Sequence, residues 1–132
     1  MITAGLITFL LSQSPVTAIC STRIFPATGP VGAIYPQIVM QQISGQEDDT
    51  FDGALGMGED RYQLTCWAET YAASEGLAKA VITALNGTAA AMGSQQAFDC
   101  EIVGQHDVLG EAVDLALRKY GKQVDVKIVR TT

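Results

Sequence analysis

The chain has 132 residues, of which 48% are apolar, 17% charged and 7% aromatic. That is the composition of one folded domain spanning residues 1–132, not of a disordered segment. At this length folding buries roughly 65–70% of the surface of the extended chain, so a scaffold that depends on disulfides or a metal is excluded. Eight basic residues against fourteen acidic ones give a net charge of -6, which argues against a protein that grips nucleic acid through its phosphates, with or without sequence specificity.

The elements follow in chain order. Apolar residues at helical spacing from Ile2 to Leu11 indicate a buried first helix, about half of the roughly 20 residues a membrane span requires. The run has no basic residue before it, and Arg23 is the first in the chain, so it is read neither as a leader nor as a membrane anchor. Ser14-Pro15 reads as an N-cap followed by proline in the first turn, opening a short second helix to Cys20. Strands are expected at Thr22–Pro26 and Ile38–Ser44.

Six acids, Glu47, Asp48, Asp49, Asp52, Glu59 and Asp60, then fall within the fifteen residues 46–60, with no Lys or Arg among them. Eight acids and eight bases remain elsewhere, so the whole net charge belongs to this one segment. With Gly45, Gly53, Gly56 and Gly58 close by, it reads as an acidic flexible loop, longer than an ordinary hairpin connection. Phe51, Leu55 and Met57 interrupt its polarity and are expected to be anchors for a partner surface.

From Arg61 to Ala68 the alternation is clean: Tyr62, Leu64, Cys66 and Ala68 form one face, and Trp67 stands on the other, where it either meets a neighbouring subunit or covers the sheet. Tyr71 to Asn86 carries a helical stripe through Ala73, Leu77, Val81, Ala84 and Leu85, with Thr70 as N-cap and Asn86-Gly87 as the stop. Gly76 inside it costs about 1 kcal/mol relative to alanine, tolerable if the helix lies close on a sheet. Thr88 to Gln96 reads as a loop. Phe98, Cys100 and Ile102 are expected inward on a strand, Val108 to Tyr120 as a helix, and Val124, Val126 and Ile128 inward on the last strand. The fold class is therefore α+β, an antiparallel or mixed sheet of four to five strands with helices packed on one face.

Chemistry finds little purchase. Cys20, Cys66 and Cys100 are widely spaced without a CxxC pair, and the last two lie in strand-like runs where a thiol acts as a small buried hydrophobe. His106 is the single histidine, there is no GxSxG elbow, and Arg61 stands where the third glycine of a GxGxxG would fall. No enzyme and no cofactor is expected. One metal reading competes: in a twelve-residue window Asp48, Asp52, Gly53 and Glu59 hold positions 1, 5, 6 and 12 of a calcium loop, making a calcium-binding module the alternative function. The flanking segments read as strands where that loop needs helices.

The run Arg23-Ile24-Phe25-Pro26, then Pro36-Gln37-Ile38-Val39, Ile43-Ser44-Gly45, Arg61 to Ala68 and Thr70-Tyr71-Ala72-Ala73, with a helix ending in Ala84-Leu85-Asn86-Gly87, resembles the tail completion proteins of long-tailed bacteriophages. These are also called tail terminators or head-to-tail joining proteins. The resemblance runs from the N-terminal helix to about Ile102. It implies a structural virion subunit, made in the host cytoplasm, forming a homo-oligomeric ring, a hexamer, at the head-proximal end of the tail. Its partners would be the tail tube protein and a neck or head-completion protein, with no membrane; a neck or head-closure subunit is the neighbouring alternative. No catalytic residue comes with the family, and the family's last two strands form a direct pair where this sequence reads as an inserted helix. Phe51, Leu55, Met57 and Trp67 are the candidate contact positions, and the acidic segment is expected to project toward the ring lumen or the tube.

Overall fold

Alternating apolar residues in four long segments fold into one mixed sheet, and the helices cover the face to which those residues point. A computed structural model describes residues 2–26, 35–50, 53–93, 95–109 and 120–131, with backbone alone described at 46–50, 53–57, 109 and 131. The elements are α1 (Thr3–Leu11), α2 (Ser14–Cys20), β1 (Ile24–Pro26), β2 (Gln37–Thr50), β3 (Gly53–Ala68), α3 (Tyr71–Leu85), β4 (Ala90–Met92), β5 (Gln95–Leu109) and β6 (Tyr120–Thr131). The strand order is β1-β2-β3-β6-β5-β4. Only β1 and β2 run parallel; every other neighbouring pair is antiparallel.

The inward residues are the ones period-2 alternation selects. Ile38 and Met40 on β2, Tyr62, Leu64 and Cys66 on β3, and Val124, Val126 and Ile128 on β6 are all buried. They meet Leu6 and Leu10 of α1, Val16 of α2, and Leu77, Val81 and Leu85 of α3 in one continuous core. Burying a side chain of this size contributes about 1.5–3 kcal/mol, which makes this layer the main source of stability. The opposite face of the sheet carries no helix among the described residues.

Helix ends follow local chemistry. The Thr70 hydroxyl accepts a hydrogen bond from the Ala73 amide at 3.2 Å, satisfying a first-turn donor of α3. Inside that helix Ser74 donates to the Cys66 carbonyl at 2.8 Å, tying α3 to β3. Ser14 is the first helical residue of α2, not its cap; Gln13 takes the cap position without a side-chain bond, and Pro15 lies in the first turn. The axes of α1 and α2 meet at 87°, and no single described helix is long and apolar enough to cross a membrane.

Several expectations need correction. The sheet has six strands, because Ala90–Met92, inside the expected loop 88–96, pairs with the start of β5. Gly76 does not bring α3 onto the sheet: a Cβ there would meet nothing within 4 Å. Val108 and Leu109 end β5 and Tyr120 opens β6, so neither end of the expected helix 108–120 is helical, and residues 110–119 lie outside the described residues. β5 and β6 pair directly, from Leu109↔Tyr120 to Ala97↔Arg130, as the resemblance implies.

The acidic segment differs most. Residues expected as loop continue the ladder as strand, β2 as far as Thr50 and β3 from Gly53. Backbone pairing carries an antiparallel hairpin once its root is anchored, whatever its side chains are, so the polar composition of the segment conceals it. One of the six acids is structural. Asp60 is fully buried and makes a two-pronged ion pair with Arg130, Nε to Oδ2 at 2.7 Å and a terminal guanidinium nitrogen to Oδ1 at 2.9 Å. The Ile2 amide, at the start of α1, donates to the same carboxylate at 2.9 Å, and the Tyr62 hydroxyl lies 3.4 Å from it. This anion at a helix N-terminus joins α1, β3 and β6.

Candidate functional site: the hairpin arm and the helix-free sheet face

β3 pairs with β6 only up to Met57↔Thr131. Beyond that point β2 and β3 continue alone, through Asp49↔Ala54 and Thr50↔Gly53, as a two-stranded arm. No third strand pairs with it there among the described residues, and two strands by themselves are marginal in water. Between Glu47↔Gly58 and Asp49↔Ala54 the register shifts, leaving Asp48 opposite residues 55–57. The arm backbone thus places Leu55 and Met57, two of the expected anchors, at its irregularity. Phe51 and Asp52 lie outside the described residues.

The calcium reading required a loop wrapping Asp48, Asp52 and Glu59 around an ion. Asp48 and Glu59 sit on opposite strands, with Glu59 paired to Gln46 and to Val129, and Asp52 lies outside the described residues. Among the described residues no group of three or more potential ligands comes together.

Trp67 packs on its own sheet. It stands on the helix-free face, half-buried, with its ring across the neighbouring strand over Gly121, where a Cβ would lie 3.0 Å from the ring. The glycine exists to admit that ring. Trp67 therefore covers its own sheet, though from the face opposite the helices.

Three of the five large apolar residues exposed among the described residues share one cause that sequence reasoning missed. At three places the register of the sheet slips by one residue: at Ile43 on β2, and at Phe98 and Val103 on β5. Each inserted residue is large, apolar and exposed, by 49%, 46% and 40%. A bulge re-aims the side chain it adds and is a device more than a defect. The bulge at Phe98 also reverses an expectation: alternation assigned Phe98 inward with Cys100, but Ala97 takes the buried position and Phe98 turns out. The faint signal was the adjacency of Ile102 and Val103 before Gly104, which strict alternation forbids.

Ionisable groups elsewhere serve structure. Burial pushes the Cys66 thiol well up and the Cys100 thiol up to about 11, so both stay protonated and unreactive at neutral pH. At the end of the sheet where β6 begins, Lys122 donates to Asp107 at 3.0 Å and holds that carboxyl below its usual range. The Tyr71 hydroxyl donates to the same carboxylate at 3.1 Å and its ring meets Tyr120 edge to face.

The described residues thus form a helix-backed sheet with apolar residues exposed at bulges and a two-stranded extension of β2 and β3. The chain belongs to the tail completion protein gp17 family, whose model matches residues 4–117. It is accordingly a structural protein of phage-type tails. Its fold is similar to that of a chain in the solved structure "Virion of native gene transfer agent (GTA) particle", with a TM-score of 0.75 and 11% identity, covering 100% of this chain and 95% of that one. No curated protein matches the chain.

Proposed function

We propose that the protein caps the head-proximal end of the tail tube as a closed ring, a hexamer, and joins the tail to the neck of the head. The observation that carries this reading is the family match across residues 4–117. The form of the molecule agrees with it. A ring cap must bind the last tube layer on one side and offer a different surface on the other, and identical subunits close a ring through two unlike patches. The arm at 47–56 and the exposed bulge residues of the sheet give the subunit such unlike surfaces. Glu47, Asp48, Asp49 and Asp52 give the arm a charge that disfavours adhesion to DNA, which suits a position beside the lumen.

The test counts tails by electron microscopy in lysates without the chain and in lysates with a chain lacking residues 48–57. Without the chain, tails are expected at irregular lengths and unjoined to heads, with infectious or transducing particles falling at least 100-fold. The arm deletion, which leaves the sheet intact below Gly58, is expected to give the same joining defect. Tails of normal length joined to heads in both lysates would overturn the reading.

A further inference from the structure

Both margins of the sheet are covered only in part. β1 pairs with residues 38–40 of β2, and β4 with residues 95–97 of β5. The Gly87 amide donates to the Cys100 carbonyl at 2.8 Å. Beyond these contacts, the outer edge of β2 from Gln41 onward and that of β5 from Glu101 to Leu109 pair with no strand among the described residues.

An uncovered edge offers a row of amides and carbonyls to another chain, and proteins that stay apart block it with Lys, Pro or a bulge. Residues 41–46 hold no charge and no Pro. Glu101 and Asp107, the acids of the β5 margin, are held by Lys127 and Lys122 of the adjacent β6, at 3.4 and 3.0 Å. Bulges at Ile43 and Val103 are the one such device on these stretches. A bulge also bends its strand, and a sheet that closes on itself must be bent.

The strand directions select a second copy as the occupant. β2 is antiparallel to β3, β3 to β6 and β6 to β5, so β2 and β5 run in opposite directions at opposite margins. Copies related by rotation about an axis along the strands keep those directions. The β2 edge of one copy then meets the β5 edge of the next antiparallel, as in the long ladders within the sheet. The β5 margin also has room on its helix side. A depression of about 650 Å³ lies there, lined by Ala72, Gly76, Lys79, Ile82, Gln105 and Lys122, and a Cβ at Gly76 would meet nothing within 4 Å.

We infer that the outer edge of β2 at residues 41–46 of one copy pairs antiparallel with the outer edge of β5 at residues 101–108 of the next, making the ring wall one continuous sheet. The contact joins two unlike margins on opposite sides of the chain, the arrangement that closes a ring. The inference rests on the ring proposed above and adds the surfaces that form it.

Two cysteine pairs test it in assembled particles: Ser44→Cys with Gln105→Cys, and Gln41→Cys with Gln105→Cys. Within one copy β2 and β5 are three strand spacings apart, about 14 Å, so a bis-maleimide spanning about 8 Å joins only neighbouring copies. The native cysteines are all buried and do not compete. At least one pair should yield a denaturing-gel ladder of multiples of the chain, and no single variant should yield one. Particles in which neither pair gives a ladder, or in which the Gln105→Cys chain joins a different virion protein instead, would overturn the contact. A ring seen in those particles refutes this contact alone, whereas absence of any ring refutes the ring proposal with it.

Discussion

Asp60→Ala is expected to destabilise the protein by about 3–5 kcal/mol, the cost of leaving a buried guanidinium without its carboxylate. Arg130 is 1% exposed and Asp60 is fully buried, so neither charge has water to fall back on. The loss also orphans the Ile2 amide at the start of α1, which donates to Asp60 at 2.9 Å. Against a total stability of about 5–15 kcal/mol this is a large fraction, and for a chain of this size it lowers the Tm by on the order of 10–20 °C. Arg130→Met alone should cost a similar amount. The double variant Asp60→Leu with Arg130→Met should cost much less than the sum, because a well-packed apolar pair replaces a buried ion pair at little net penalty. Thermal and urea melts of the four proteins measure this directly. Singles within about 1 kcal/mol of the parent would show that the pair is solvated.

The second large effect is expected at Gly5. This residue is buried in α1, and a Cβ there would overlap the Met92 carbonyl of β4. Gly93, with φ +65°, completes the approach from the other side: a Cβ there would lie 3.1 Å from the Gly5 Cα. The neighbour is backbone on both sides, so neither can move aside as a flexible side chain would. Gly5→Ala is expected to cost about 1–3 kcal/mol by overpacking, and Gly5→Val more, since the added methyls meet the same strand. Gly76→Ala is the internal control. It lies in a helix with open space at its Cβ, and should stabilise by about 0.5–1 kcal/mol through helix propensity. The melts of these variants should therefore move in opposite directions.

How much of this was legible follows the physics of each signal. Where one face of an element is buried and the other wet, periodicity reports the face, and α1, α3 and the inward sets of β3 and β6 follow it closely. Alternation fails where the register slips by one residue. Phe98 shows the cost: the same Phe-x-Cys-x-Ile pattern that identifies β5 assigns its first member to the wrong side, because a bulge changes the phase without changing composition. The arm was hidden for a different reason. Its sequence shows no apolar alternation, so Glu47 to Thr50 resemble loop in composition while pairing as strand. Asp60 was hidden among five other acids, and nothing local distinguishes it; Arg130, its partner, is 70 residues away. β4 is three residues of Ala and Met, too short to show a period.

The candidate surfaces were legible only in part. The backbone of Leu55 and Met57 stands at the irregularity of the arm. Trp67 proved to cover Gly121, and Ile43, Phe98 and Val103 come to notice only once the pairing register is known. Family membership was more accessible, because it rests on many packing and strand residues taken together over residues 4–117.

The most direct test of the central claim is a density map of the intact particle in which this chain is traced. The account predicts a single ring of six copies between the last tube layer and the neck, with the β2–β3 arm of each copy against tube or lumen. Density for the chain elsewhere in the particle, or in no closed ring, would contradict it.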